Sequence, residues 1–374
     1  TYNIATKLAT NLKKPTDKIK TTKIFTSNTK KILYKGENTK MLNKKIVSII
    51  ILCVLVCLCF ACFASCQKGQ DQIKIMLPDG TPALALANVL DNDAAFSDKK
   101  TTFKIVPAAN IQTAFVKNND NGADIALMPT VVAAKLYSNG QKIKMLSANV
   151  FGNLYVVGAG VSAPAPLSSL KGKVVYVTIG TTVTLFKYLL NQNNIPVEEG
   201  AEPVEGKVVL ATKNDGSEIV PLLVKAAKSG QQAFAVLGEP QAAKATANIR
   251  QFADTAYVVD FQAEWKTLTG FEGYPQAGLF ATEEFCKNNK TYVKKLLAAL
   301  EKNSEFLTAK HAELPQLFAR YDSNLKNLTF DLKTIENCNL KLVRAADAKK
   351  AVLDYIGRVM PAAVKDSIND AFFN

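Results

Sequence analysis

From residue 72 the chain switches repeatedly between two hydrophobic spacings. The run QIKIML (72–77) is short, apolar and rich in Ile, which predicts a strand. PALALANVLDND (82–93) spaces its apolar positions along one helical face. The switch recurs in TTFKIVP (101–107, strand), NIQTAFVKNND (110–120, helix) and ADIALMP (123–129, strand). TVVAAKLYSNG (130–140) then reads as a helix closed by Gly140, and QKIKMLSANVFGNLYVVGAG (141–160) as one or two strands.

The Pro-punctuated stretch VSAPAPLSSLKGK (161–173) interrupts, and a second series begins. KVVYVTIG (173–180), KVVLAT (207–212) and QAFAVLG (232–238) read as strands. TVTLFKYLLNQNN (182–194), SEIVPLLVKAAKSG (217–230) and EPQAAKATAN (239–248) read as the helices between and after them. AYVVDF (256–261) and QAGLFA (276–281) return as strands, and the chain ends in helical segments at 289–309, 312–321 and 347–360. Alternation of this kind predicts an α/β protein of two lobes, each a mostly parallel sheet flanked by helices, with a helical C-terminal tail.

The formal charge of +14 suggests a nucleic-acid partner until it is located. Residues 1–45 carry 12 Lys against Asp17 and Glu37, whereas residues 67–374 hold 34 basic and 30 acidic groups. The excess is absent from the folding part, so no nucleic acid is expected to bind there. Residues 1–40, mostly Lys, Thr and Asn, form a basic extension too poor in apolar residues to fold. From Met41 two lysines precede the 18 uncharged residues Ile46–Phe63, followed by Ala64-Ser65-Cys66, the pattern of an export signal over 41–66. Phe63-Ala64-Ser65-Cys66 resembles a bacterial lipobox, with Cys66 the residue that would be lipidated. An uncleaved membrane-spanning anchor is the alternative, since 18 apolar residues just reach spanning length. The polar residues 67–71 suit a tether, and either reading holds the body outside the cytoplasm at a membrane.

Ligands of open α/β sheets bind beyond the carboxyl ends of the strands, against helix N-termini. Four turns in those places share a chemistry: Asp79-Gly80-Thr81-Pro82, Met128-Pro129-Thr130, Gly180-Thr181-Thr182 and Gly238-Glu239-Pro240. In the first, Thr81 is expected as N-cap and Pro82 as the first helical residue, with free amides offered to a ligand. Each turn taken alone reads as an ordinary cap; the set of four is what points to a ligand. Glu239 either accepts from a ligand N–H or caps its own helix. No metal site is expected: beyond the signal only Cys286 and Cys338 remain, and His311 has no partner at ligand spacing.

The strings LPDGTPALALA (77–87), GADIALMPTVVAAKLYSNG (122–140), GNLYVVG (152–158), SLKGKVVYVTIGTT (169–182), AVLGEPQAAKA (235–245) and YPQAGLFATEEFCKNN (274–289) resemble, in this order, solute-binding proteins of the nitrate/sulfonate/taurine class of ABC importers. The resemblance implies a type II periplasmic-binding-protein fold whose two lobes close on a small solute. It implies a monomer, anchored at the outer face of the cell membrane, that delivers the solute to a permease and its ATPase. It implies a discontinuous first lobe, residues 72–160 and 252–374, around a second lobe at 161–251. Carried over by position, Gly80, Thr81, Pro129, Thr130, Asn153, Thr181, Thr182 and Glu239 would line the cleft. Thr hydroxyls and helix N-termini favour an anionic, sulfonate-like solute, and no cofactor is implied. Trp265 and Tyr274 stand where an aromatic could cover a ligand, although a core place is the commoner use.

Two rival readings remain. An exported sensor or adhesin could use the same bilobed domain, and an enzyme could be built on this fold. A Cys nucleophile needs a base, and Cys286 with His311 is the pair considered beyond the signal; no G-x-S-x-G turn occurs, and GAEPVEGKV (200–208) lacks the spacing and the Ser/Thr of a phosphate loop. The expectation is therefore a binding protein.

Overall fold

The computed structural model describes residues 72–373 apart from positions 93, 95, 117–121 and 215. The extension, signal, Cys66 and tether expected at 1–71 lie outside the described residues. Residues 70–374 cluster as one compact unit.

Two six-stranded sheets organise that unit. The first contains β1 (Gln72–Pro78), β2 (Lys100–Val106), β3 (Ile125–Pro129), β4 (Ile143–Val150), β11 (Ala277–Thr282) and β12 (Leu340–Arg344), in the order β12-β4-β11-β3-β1-β2. The second contains β5 (Leu154–Ala159), β6 (Val174–Thr178), β7 (Val197–Glu199), β8 (Val208–Lys213), β9 (Ala233–Gly238) and β10 (Thr255–Asp260), in the order β10-β5-β9-β6-β8-β7. Both sheets are mixed. β1 runs parallel to β2 and β3, and β6 parallel to β8 and β9, each pair joined through a crossover. The strands next to the points where the chain changes sheet, β4, β5, β10 and β11, pair antiparallel.

Alternation along each strand feeds two cores per sheet. Ile73, Ile75 and Leu77 of β1 face one side, where Leu296, Leu300, Leu307 and Phe318 of the tail helices cover them. Met76, Met128 and Met145 face the other side, under Ala133 and Ala134 of the helix Thr130–Ser138 and under Ala348, Val352 and Ile356 of the helix Ala345–Val359. On the second sheet, Val175, Val177 and Leu210 pack under Leu185, Phe186 and Leu189 of the helix Thr181–Gln192. The opposite face packs Val157 and Ala235 under Ile219 and Leu223 of the helix Gly216–Lys228.

Local expectations fail where the periodic signal is short. The helix expected over 82–93 breaks into Thr81–Leu84 and Ala87–Asp91. Of the helix expected at 110–120, the described part is a 3₁₀ turn, Ala108–Thr113. The three-residue β7, the helix Phe261–Thr269 and β12 were not foreseen. β5 and β10, expected at the edges of the first lobe, pair in the second sheet, so the chain crosses at 151–153 and 270–276 rather than near 160 and 252. No composition change marks those crossings, because β4 and β5 are both buried on each face.

The first crossing turns on Gly152, whose φ of +88° is one that residues with a side chain rarely adopt. A Cβ there would stand 2.8 Å from both the Gln262 Oε1 and the Tyr274 ring, two groups fixed in the core. Gly172 has a similar φ of +75° with nothing within 4 Å. Gly172→Ala is expected to cost about 1 kcal/mol of backbone strain, and Gly152→Ala about 2–4 kcal/mol, because overpacking adds to the strain. Urea denaturation of the two variants measures the difference; equal losses would show that the crossing tolerates displacement.

Candidate functional site

Chain order and strand order place the site before any side chain is considered. In the first sheet β1 leads to β2 on one side, and the chain returns to β3 on the other. In the second, β6 is flanked in the same way by β8 and β9. The carboxyl ends of β1 and β6 are therefore the points where strand order reverses, which in open α/β sheets form crevices. The turns there are Asp79-Gly80-Thr81 and Ile179-Gly180-Thr181-Thr182.

At the first turn the expected cap is wrong. Gly80 is the N-cap and Thr81 already lies in the helix, with Pro82 one place later than expected. The Gly80 amide is not offered outward either, since it donates to Asp79 Oδ1 at 2.9 Å. The Asp79 carboxylate also accepts from the Ser323 hydroxyl and, at 2.8 Å, from the Asn324 amide, which fastens the turn to the C-terminal half of the chain. The physical reason is competition: a carboxylate next to a glycine amide outbids a ligand for it.

Thr81 instead reaches across to the second sheet. Its hydroxyl donates to the Glu239 carbonyl and accepts from Asn153 Nδ2 at 2.5 Å, and the same Nδ2 reaches the Glu239 carbonyl at 3.0 Å. The Glu239 amide returns a hydrogen bond to the Asn153 carbonyl at 3.0 Å. Three residues expected in the cleft, Thr81, Asn153 and Glu239, are thus brought together and buried in one knot between the sheets. Asn153 Oδ1 is buried there with no hydrogen-bond partner among the described residues.

The choice left open for Glu239 falls on the side of its own chain. One carboxylate oxygen accepts from the Ala243 amide at 3.1 Å, in the first turn of the helix Gln241–Ile249. The other accepts from the Tyr257 hydroxyl and from Asn337 Nδ2 at 3.3 Å. Tyr257 stacks on Tyr155, with ring centroids 4.9 Å apart, and the Tyr155 hydroxyl donates to the Asn337 carbonyl at 3.0 Å. Burial pushes the Glu239 carboxyl above the usual carboxylate range, against the opposing pull of the Tyr257, Ala243 and Asn337 hydrogen bonds. The peptide bond Glu239–Pro240 is cis.

The remaining expected residues divide. Pro129 is the N-cap of its helix, and Thr130 is fully buried, donating its hydroxyl to the Pro275 carbonyl at 2.6 Å and its amide to the Gln276 carbonyl at 2.9 Å. Thr130 is consumed by the second crossing. Thr181 and Thr182 are half-buried at the start of a 12-residue helix, and their hydroxyls take part in no hydrogen bond among the described residues. The first amides of a helix have no partner within it, so this turn keeps donors to spare. Beside it Ile179 is 55% exposed, unusual for so large an apolar side chain. No sequence signal separated Ile179 from the buried apolar residues of its strand. Tyr155, Tyr257 and Asn337, which hold Glu239, were missed for a different reason: they come from three distant segments.

Trp265 and Tyr274 are core residues. Both are fully buried, 5.5 Å apart between centroids, and Tyr274 stacks on Tyr355 at 5.5 Å. Cys286 and Cys338 are both free and buried. Burial raises the Cys286 thiol to about 11, which works against a thiolate nucleophile, and half-buried His311 turns its Nδ1 to the Thr308 carbonyl at 2.9 Å. Among the described residues no group of three His, Cys, Asp or Glu side chains is placed to hold a metal ion, and no helix is long and apolar enough to cross a membrane.

No family profile matches the chain. No curated protein matches it either. Solved structures do. An ABC transporter protein from Parabacteroides distasonis is similar over 82% of this chain and 99% of its own, with 24% identity and a TM-score of 0.62. The alkanesulfonate-binding protein SsuA from Xanthomonas axonopodis pv. citri, bound to MOPS, covers 80% of this chain and 98% of its own at 13% identity and a TM-score of 0.53. The periplasmic aliphatic sulphonate binding protein SsuA from Escherichia coli covers 79% and 91% at 13% identity and a TM-score of 0.53. The chain has the fold of these periplasmic binding proteins, with two helix-flanked sheets and a helical C-terminal tail.

The raised carboxyl of Glu239 makes stability depend on pH. A native value above the unfolded one means that the group stabilises the fold fully below the ordinary range near 4.5, and that this contribution is lost as pH rises through the raised value. Glu239→Gln removes the titration. The variant is therefore expected to gain in melting temperature relative to the parent between pH 4.5 and 7, whatever fixed offset the changed hydrogen bonds impose. Parallel curves of melting temperature against pH would mean that the carboxyl titrates alike in both states.

Proposed function

We propose that this chain is the extracytoplasmic solute-binding component of an ABC importer, which closes its two lobes on a small anionic organic solute and hands it to a membrane permease. The observation that carries the reading is a contact between the two sheets at the carboxyl ends of their strands. The turn after β1 touches the turn after β9 through Thr81 and Glu239, and β9 lies beside β6, which supports assigning the donors of Thr181 and Thr182 to the same crevice. Two hydroxyls and a helix N-terminus suit the oxygens of a sulfonate or carboxylate. Exposed Ile179 at the same turn suits an apolar body attached to that anion. The lobes, in this reading, are residues 72–150 with 277–373 and residues 154–260, joined by the two crossings. Cys66 is the lipidated residue that holds the monomer at the outer face of the membrane, and the solute enters without cofactor or metal. The sulfonate-binding neighbours support the solute class by fold alone.

Solute binding separates import from the alternatives of a sensor, an adhesin or an enzyme. A thermal-shift screen of nitrate, taurine, alkyl and aryl sulfonates and short carboxylates should find one solute that stabilises the protein. At about a thousand times its dissociation constant it should add roughly 4 kcal/mol. Thr181→Ala with Thr182→Ala should weaken that solute about tenfold or more while leaving the melting temperature of the free protein within a degree or two, since the lost hydroxyls bond nothing in the fold. Unchanged affinity in the double variant would remove this turn from the site, and a flat screen on folded, ligand-free protein would count against solute transport.

A further inference from the structure

The amino end of the first sheet, opposite the candidate site, carries a groove of about 1320 Å³. That exceeds the roughly 300–1,000 Å³ of small-molecule pockets and reads as a surface rather than a cage. Seven basic side chains line it against three acidic ones. Lys142 and Lys144 stand at the start of β4, Lys287 on the helix Glu283–Asn288, and Lys290 and Lys294 one turn apart on the helix Lys290–Leu300. None of these five takes part in an ion pair among the described residues, and all but half-buried Lys144 are exposed. Arg344 on the rim is already paired with Glu301, at 2.6 Å.

The chain itself indicates what the groove faces. Lys74 lines it, two residues after the first described residue, Gln72. Six residue steps separate Cys66 from Gln72 and reach at most about 20 Å. If Cys66 carries a lipid, as the proposed function holds, the entry of β1 stays within that distance of the membrane, and the five lysines line the groove beside it. A surface of such lysines there meets the negative potential of anionic phospholipids. We propose that this groove is a docking surface for an anionic phospholipid membrane. Docking on this end points β1 away from the lipid and sets its carboxyl end about 20 Å further out. The solute crevice then faces solvent, a posture for capture distinct from engagement with the permease.

The test uses the full chain, anchored in vesicles of phosphatidylcholine alone or with about one-third phosphatidylglycerol. Amine acetylation is read lysine by lysine by mass spectrometry. Lys142, Lys287, Lys290 and Lys294 should react about fivefold more slowly on the anionic vesicles, with Lys225 of the second sheet's helix unchanged. The protection should vanish at about 0.5 M salt, and Lys142 should lose it in the variant Lys287→Glu/Lys290→Glu/Lys294→Glu. Equal reactivity on both vesicles overturns the proposal. So does equal protection by inorganic phosphate without vesicles, which would make the groove a site for a soluble anion. The mass of the N-terminal peptide reports lipidation of Cys66 separately. An unlipidated chain whose lysines stay reactive with added anionic vesicles overturns both readings, and a lipidated chain with reactive lysines overturns only this one.

Discussion

The fold depends on how the polar backbone is satisfied where the chain changes sheet. At residues 151–153 no strand pairing is formed among the described residues, yet the segment is buried, and an unpaired amide or carbonyl there would cost about 1–3 kcal/mol. Side chains replace the missing strand. Asn339 donates to the Phe151 carbonyl at 2.7 Å and returns its own carbonyl to the Phe151 amide at 3.1 Å. Gln262 accepts from the Leu154 amide at 3.1 Å and donates to the Leu154 carbonyl at 3.3 Å, so one amide side chain imitates a paired residue. The Glu239 amide takes the Asn153 carbonyl. Because each partner comes from a different segment, the crossing holds only when both sheets are formed.

Apolar packing builds on that arrangement. With the crossing fixed, Tyr274 of the second crossing lies against Gln262, to which its hydroxyl donates at 3.1 Å, and against Trp265 and Tyr355. Tyr355 belongs to the helix Ala345–Val359, whose Ala348, Val352 and Ile356 pack on the first sheet. One turn on, Arg358 reaches Tyr188 of the second sheet's helix at 3.0 Å. The tail helix therefore belongs to the first core and lends one aromatic to the second. Around the crevice the contacts between sheets are polar and few: Thr81 to Glu239, Asn337 to Glu239 and Tyr155 to Asn337. Hydrogen bonds of this kind contribute about 1 kcal/mol each, far less than burial of a Trp–Tyr–Tyr cluster. Under the proposed function, relative motion of the lobes would spend the weak polar contacts and keep the aromatic joint.

Legibility in the sequence divides along the same line between local and distant causes. β1, β3, β6 and β9 were legible because an apolar run ending in Gly or Pro needs only its own residues. The turns after them were legible as places, which is why Thr81, Thr130, Thr181, Thr182 and Glu239 were singled out together. Their roles were not. Whether a Thr hydroxyl caps its helix, as Thr81 was expected to, or crosses to Glu239 depends on a residue 158 positions away. Asn337 and Asn339 sit in a segment with weak periodicity, and nothing within TIENCNL distinguishes them from solvated loop residues. β12 was hidden for that reason, while Phe261–Thr269 was hidden because its start, capped by Asp260 accepting from Gln262 and Ala263, coincides with the end of a strand.

β1 carries the functional polarity of the molecule. Its amino end receives the chain amid lysines, and its carboxyl end is the reversal point where Asp79 and Thr81 act. Between them Ile73, Ile75 and Leu77 are buried to 1% exposure or less, so the strand cannot slide by one residue without exchanging its two faces. The distance from the point of entry to the crevice is thereby fixed by seven residues of rigid strand. The two ends differ in chemistry as well as in position. The amino end gathers cations, and the carboxyl end is tied by neutral hydrogen bonds to Glu239, whose carboxyl burial favours in its uncharged form. Under the proposed function, a solute anion arriving at the crevice would meet helix amides and hydroxyls, which select for geometry as well as for charge. The +14 of the whole sequence describes neither end. What matters physically is that the clustered basic groups of the folded part and the turn that Thr81 ties to Glu239 stand at opposite ends of one strand.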